Sequence, residues 1–83
     1  MDVHRKKLLY KAQHCGMKEN DVLLGRFAAA KLETMTDGEL AGFEALLEES
    51  DNDLYDWATG KKSLPDHIDA DLMSAIMAFS RNK

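Results

Sequence analysis

Apolar residues recur along this chain at spacings of three and four, and the rhythm breaks at Gly, Pro and short runs of Ser, Thr, Asp and Asn. That pattern predicts helices joined by tight connections, with no alternating β-branched run long enough for a sheet. The first helix is expected from Val3 to His14, with Asp2 as its N-cap and Val3, Leu8, Leu9 and Ala12 as its apolar side. Gly16 is expected to close it by adopting the left-handed conformation. A second helix is expected from Lys18 to Thr34, with Glu19 and Asp21 in the first turn, where acidic groups meet the positive end of the helix dipole. Gly25 lies inside it at a cost of about 1 kcal/mol relative to alanine, so close approach of a neighbouring helix or partner is expected there.

Thr36-Asp37-Gly38-Glu39 has the S/T-x-x-E form of a capping box and opens a third helix that buries Leu40, Phe43, Leu46 and Leu47. Ser50-Asp51-Asn52-Asp53 resets the chain for a short fourth helix carrying Leu54, Tyr55, Trp57 and Ala58 and ending at Gly60. Ile68, Leu72, Ala75, Ile76 and Phe79 define the fifth. Connections this short make neighbouring helices antiparallel or sharply angled. The predicted fold is therefore all-α, a small five-helix bundle forming a single domain over residues 1–83, rich in local contacts and fast to fold.

Eighty-three residues suffice for one domain and leave little surplus for a deep substrate cavity. An apolar share of 45% with 31% charged residues places the chain among globular rather than disordered sequences. The single cysteine excludes an internal disulfide and fits a reducing compartment. No signal-peptide apolar stretch follows the basic N-terminus and no run is long enough to span a bilayer. The expected location is cytoplasmic, or the mitochondrial matrix if a transit peptide has been removed.

The net charge of −4 is unevenly divided. Residues 1–31 hold seven Lys/Arg against three Asp/Glu, net +4, and residues 32–83 hold four against twelve, net −8. Such a split is either a set of ordinary solvated helix faces or a basic N-terminal region that docks on an acidic or anion-binding partner. Overall acidity argues against nucleic acid as that partner.

Catalytic and metal-binding constellations are weak. His14 and Cys15 precede a helix start, a setting that can lower a thiol pKa, but no oxyanion site or enclosing pocket accompanies them. His14, Cys15 and Glu19 have no fourth ligand at metal spacing, and His4 and His67 read as solvated side chains. Asp51, Asp53 and Asp56 lack the glycine and terminal glutamate of a calcium loop, so capping by Ser50 and Asp51 explains that cluster better. The methionines, Met73 and Met77 among them, read as core filling rather than a recognition surface. Trp57 and Tyr55 read as core groups, with a partly exposed hot spot as the alternative. No catalytic residue and no metal site is expected.

The stretch Tyr10 to Ala28, through Cys15-Gly16-Met17-Lys18-Glu19-Asn20-Asp21, is more specific. It resembles the hallmark of the succinate dehydrogenase assembly factor 2 family (SdhE, YgfY), R-G-x-x-E followed by an aspartate and a leucine-rich helix. The resemblance continues through Leu46-Leu47-Glu48 and Asp51-Asn52-Asp53-Leu54-Tyr55-Asp56-Trp57 to Pro65. It implies the same five-helix fold and a chaperone-like factor, not an enzyme. Such a factor binds the flavoprotein subunit of succinate dehydrogenase, and in bacteria fumarate reductase, and promotes covalent attachment of FAD. The FAD then belongs to the client, and the factor has no cofactor of its own.

The resemblance places client binding at Lys11, His14, Cys15, Gly16, Met17, Glu19 and Asp21. Gly16 would admit the partner closely and Glu19 would present a carboxylate to the client or its flavin site. Cys15 stands where the hallmark has arginine, so either His14 and Lys11 cover the lost guanidinium or the contact is weaker. A monomer without membrane insertion is expected. The rival reading is a small helical interaction adaptor with a different client.

Overall fold

The computed structural model describes residues 1–81, so the last two positions of the predicted domain lie outside the described residues. Five α-helices follow in order: α1 (Val3–Gln13), α2 (Lys18–Lys31), α3 (Asp37–Leu47), α4 (Asp51–Thr59) and α5 (Ala70–Arg81). A single 3₁₀ turn, Leu32–Thr34, tightens the exit of α2, and no strand occurs among the described residues. The radius of gyration of 11.7 Å matches the roughly 12 Å of a compact globule of this length.

Local capping sets most helix starts. Asp2 accepts the Arg5 N–H at 2.8 Å. Thr36 and Glu39 form a reciprocal capping box, and Ser50 accepts the Asp53 N–H at 3.2 Å. The fifth helix starts later than the apolar spacing suggests, because Asp69 accepts the Leu72 N–H at 3.1 Å and caps it. Ile68 is buried just ahead of the helix, while Ala75 is exposed on it.

Helix α2 is the hub, packed by α1, α4 and α5, with α3 bridging α1 and α5. Leu24, Phe27 and Ala28 form its buried stripe. The Phe27 ring lies 6.0 Å from Phe43 and meets Phe79 edge-on at 5.8 Å, a favourable aromatic arrangement. Trp57 and Met73 are buried, with Met77 packed partly against the same core, whereas Tyr55 stays half-exposed under Lys61, 5.4 Å from its ring.

At Gly25 α1 packs close against α2. A Cβ there would stand 3.1 Å from Gln13 Cγ and 3.3 Å from Gln13 Cα, so the helix tolerates glycine because α1 occupies the space a side chain would need. Arg5 fastens the other end of the pair. Its guanidinium donates to the carbonyls of Leu32 at 3.0 Å and Met35 at 2.6 Å, tying α1 to the chain past the end of α2. On α1 the buried side consists of Leu8 and Ala12, with Leu9 packed at its edge. Val3 does not belong to it, being 69% exposed.

Candidate functional site

Between α1 and α2 the chain turns in four residues, His14 to Met17. Met17 begins α2 without a side-chain cap; its carbonyl instead accepts the N–H groups of Asn20 and Asp21, each at 3.1 Å. Asp21 reaches back to accept the Cys15 N–H at 2.7 Å, which fixes the turn and places negative charge at the positive end of α2. Asn20, one position earlier, is 1% exposed. Its amide donates to the Asp51 carbonyl at 2.9 Å and to Asp51 Oδ1 at 3.3 Å, so the starts of α2 and α4 converge behind the turn.

That convergence explains Gly16 differently from the sequence expectation. Gly16 does not take the left-handed conformation; Gly60, at φ 80°, is the glycine that does among the described residues. Helix α1 ends instead at His14, whose φ and ψ of −132° and 43° leave the helical region. A Cβ on Gly16 would lie 2.5 Å from Asp51 Oδ2, so a side chain at this position would have to displace the Asp51 carboxylate.

The Cys15 thiol sits half-buried in this turn. Rather than being activated by the helix start, it is pushed up to about 11, first by burial and then by the carboxylates of Asp51 and Asp21. The S–H points at the Ala12 carbonyl, 3.5 Å away, with the Lys11 carbonyl at 3.6 Å. A thiol held protonated in this way is a poor nucleophile.

The remaining residues singled out from the sequence lie on or beside this turn. Lys11 Nζ pairs with Glu48 at 3.1 Å on the surface. His14 donates through Nδ1 to the Tyr10 carbonyl at 2.8 Å and stacks on the Tyr10 ring at 4.0 Å. Met17 is half-buried, and Glu19 is exposed in the first turn of α2. The structure thus ties Cys15 to Asp21 by a hydrogen bond, with Gly16 between them packed close to Asp51, and leaves Glu19 exposed beside this unit.

Asn20 and Asp51, which anchor that unit, were not picked out from the sequence as site residues. Asn20 precedes Leu24 by four and lies in phase with Phe27 and Ala28, so the helical period carries the signal that it faces inward. Nothing in the sequence names Asp51 as its partner.

A concavity of about 740 Å³ lies elsewhere, lined by Phe27, Lys31, Glu39, Asp69, Leu72 and Phe79 among others. None of the seven residues singled out from the sequence lines it. An open cleft of this kind is the usual form of a small-molecule site, whereas a protein-docking turn needs no cavity. Among the described residues no three His, Cys, Asp or Glu side chains gather as metal ligands, and no helix is long and apolar enough to cross a membrane.

The turn, its glycine and the exposed glutamate lie within residues 6–80, which match the Sdh5 family, described as the flavinator of succinate dehydrogenase. This chain belongs to the Sdh5 family. It is 35% identical over 85 residues to the mitochondrial succinate dehydrogenase assembly factor 2 of Danio rerio, covering 100% of this chain and 54% of that protein. The assembly factor 2 of Kluyveromyces lactis is 39% identical over 87 residues, covering 100% of this chain and 53% of that protein. The FAD assembly factor SdhE of Acetobacter pasteurianus is 36% identical over 77 residues, covering 93% of this chain and 71% of that protein. This Sdh5-family chain therefore spans about half the length of the mitochondrial relatives and most of the bacterial one.

Proposed function

We propose that the chain binds the flavoprotein subunit of succinate dehydrogenase and promotes covalent attachment of FAD to it, acting as a monomer and supplying no catalytic group. Membership of the Sdh5 family across residues 6–80 is the observation that carries this reading. The local chemistry agrees with it: the thiol beside the turn is held protonated, and the exposed carboxylate of Glu19 sits beside a hydrogen-bonded turn. In this reading the Cys15–Asp21 turn docks on the client and holds the flavin and its acceptor side chain in register. Correct placement of two reacting groups can remove about 7 to 11 kcal/mol from a barrier. Lys11, His14 and Met17 complete the contact, and Asp21 acts mainly by holding the turn. The flavoprotein subunit of fumarate reductase is a second client within the same reading. The compartment is the client's own, the bacterial cytoplasm or the mitochondrial matrix.

The test is covalent flavin fluorescence on a denaturing gel after incubating purified apo flavoprotein subunit and FAD with and without the chain. A faster or stronger band on its addition is expected, and Glu19→Ala should reduce that gain while leaving helical circular dichroism and Tm nearly unchanged. No gain with a folded, competent client overturns the reading and favours an adaptor with another partner. Unfolding of Glu19→Ala would reassign Glu19 to structure.

A further inference from the structure

Helix α1 carries on its outer side a stripe that its packing does not explain. Val3, Lys6, Lys7, Tyr10, Lys11 and His14 each stand three or four positions from a member one turn away and so share one face. Every one of them is exposed. Val3 at 69% and Tyr10 at 64% are the two most exposed of the large hydrophobic side chains outside the core. Together with Lys6, Lys7 and Lys11 they line a shallow recess of about 360 Å³.

The cations of this face are unspent. Arg5, on the same helix, is consumed by Asp2 and by the carbonyls of Leu32 and Met35. Lys6 and Lys7, in contrast, make no ion pair among the described residues, and Lys11 makes only its exposed pair with Glu48. The stripe is about 16 Å long at 1.5 Å per residue, and it runs directly into the turn through His14 stacked on Tyr10.

We infer that this stripe is the outer half of the client-docking face, fitted to an acidic surface of the flavoprotein subunit, with Tyr10 and Val3 as the apolar anchors and Lys6 and Lys7 as the steering charges. The inference rests on the function proposed above. Its physical basis is that exposed like charges raise the encounter rate with a surface of opposite sign, while a desolvated aromatic slows departure. The face thus divides the work: α1 captures the client and the turn acts on it.

The experiment measures association and dissociation rates of the full chain with the apo flavoprotein subunit at two salt concentrations, beside flavinylation. The double variant Lys6→Glu/Lys7→Glu is expected to keep native circular dichroism and Tm and to associate about tenfold more slowly at low salt, with a flattened salt dependence. Tyr10→Ala is expected to leave association near native and to speed dissociation about tenfold. Lys61→Glu/Lys62→Glu makes the same change in net charge away from the stripe and is expected to bind nearly as the native chain does.

Native association and salt dependence in the α1 double variant overturn the inference, and so does an equal slowing in the Lys61/Lys62 control. Sedimentation of the chain alone supplies a further check: a salt-sensitive dimer dissolved by Lys6→Glu/Lys7→Glu would assign the stripe to a second copy and overturn it too. If the native chain neither binds the flavoprotein nor speeds flavinylation, the functional reading itself fails. Native binding with indifferent α1 variants sinks only the stripe.

Discussion

Gly60 and Gly16 each follow a helix within a few residues, and each reads from the sequence as a helix stop. Gly60 holds φ at 80° with nothing within 4 Å of the place a Cβ would take. Its turn is closed locally, the Lys61 N–H donating to the Asp56 carbonyl at 2.8 Å, in the manner of a left-handed helix cap. Gly16 has no such dihedral, but a Cβ there would meet Asp51 Oδ2 at 2.5 Å. One glycine serves a backbone conformation and the other serves a space. The first is a property of a few neighbouring residues, while the second depends on a carboxylate contributed by a helix 35 positions later.

The largest test of this contrast concerns what holds Asp51 in place. Asn20→Ala removes both amide contacts to Asp51 and should cost about 2 to 3 kcal/mol, lowering Tm by about 10 to 20 °C for a domain of this size. Chemical denaturation reads it; a loss below about 0.5 kcal/mol would mean that the α2–α4 junction does not depend on the amide.

Next comes the space itself. Gly16→Ala should cost about 1 to 3 kcal/mol through overpacking, and combining it with Asp51→Ala should recover at least about 0.5 kcal/mol relative to the sum of the two single changes. Strict additivity in that cycle would break the proposed contact.

Gly60→Ala should cost about 1 kcal/mol through its left-handed backbone, with no coupling to Asp51. Gly60→Asn should recover part of the loss, because asparagine tolerates that conformation. The same replacement at Gly16 should not help. Equal rescue by asparagine at both sites would erase the distinction between them.

Two titrations sharpen the picture on a smaller scale. The Cys15 thiol, pushed up to about 11 by burial and by Asp51 and Asp21, should react with iodoacetamide along a pH curve displaced upward from that of the unfolded chain. Asp51→Asn should move the curve back down. Because the folded thiol keeps its proton where the unfolded thiol has lost it, its contribution is intact below the unfolded pKa and declines as pH rises toward about 11. The denaturation midpoint relative to Cys15→Ser should therefore fall over that interval.

Asp2 titrates in the opposite sense. The Arg5 N–H, together with the Arg5 guanidinium, holds its carboxyl below the usual 3.8. Its contribution is present above that value and disappears as pH falls through the lower folded pKa, so Asp2→Asn should flatten the acid limb slightly.

Helix starts were legible because a cap satisfies backbone donors within three residues of itself: Asp2, the Thr36–Glu39 box and Ser50 can be read without knowing what packs above them. The stretch from Lys18 to Thr34 was legible instead from its acidic first turn and its apolar period, although its last turn tightens to 3₁₀. The start of α5 was less so. Ile68 keeps the helical spacing and is buried, but Asp69 caps after it, so an apolar residue in phase need not be in the helix. Val3 shows the reverse error: it was placed on the inner side of α1, while the buried side begins at Leu8 and Val3 stays in solvent.

At the candidate site the sequence supplied the segment's family resemblance, because Cys15 to Asp21 is contiguous. Internal roles within that segment required the fold. Asp21 turns back to the Cys15 N–H within the segment itself, but whether the thiol is activated or suppressed depends on burial and on the Asp51 carboxylate brought in by α4.

By itself, then, the amino-acid order determined five helices, the caps of three of them, a helix end at Gly60 and a basic first helix. These are interactions between residues within a turn or two of each other, where the chain has little conformational freedom to resolve. Tertiary structure alone decided that Asn20 would reach Asp51, that the Asp51 carboxylate would fill the space beside Gly16, and that α1 would spend Arg5 on carbonyls while leaving Lys6, Lys7 and Tyr10 outward. Those outcomes turn on which helix faces meet across long stretches of chain, a choice settled by burying the whole core at once rather than by any local preference.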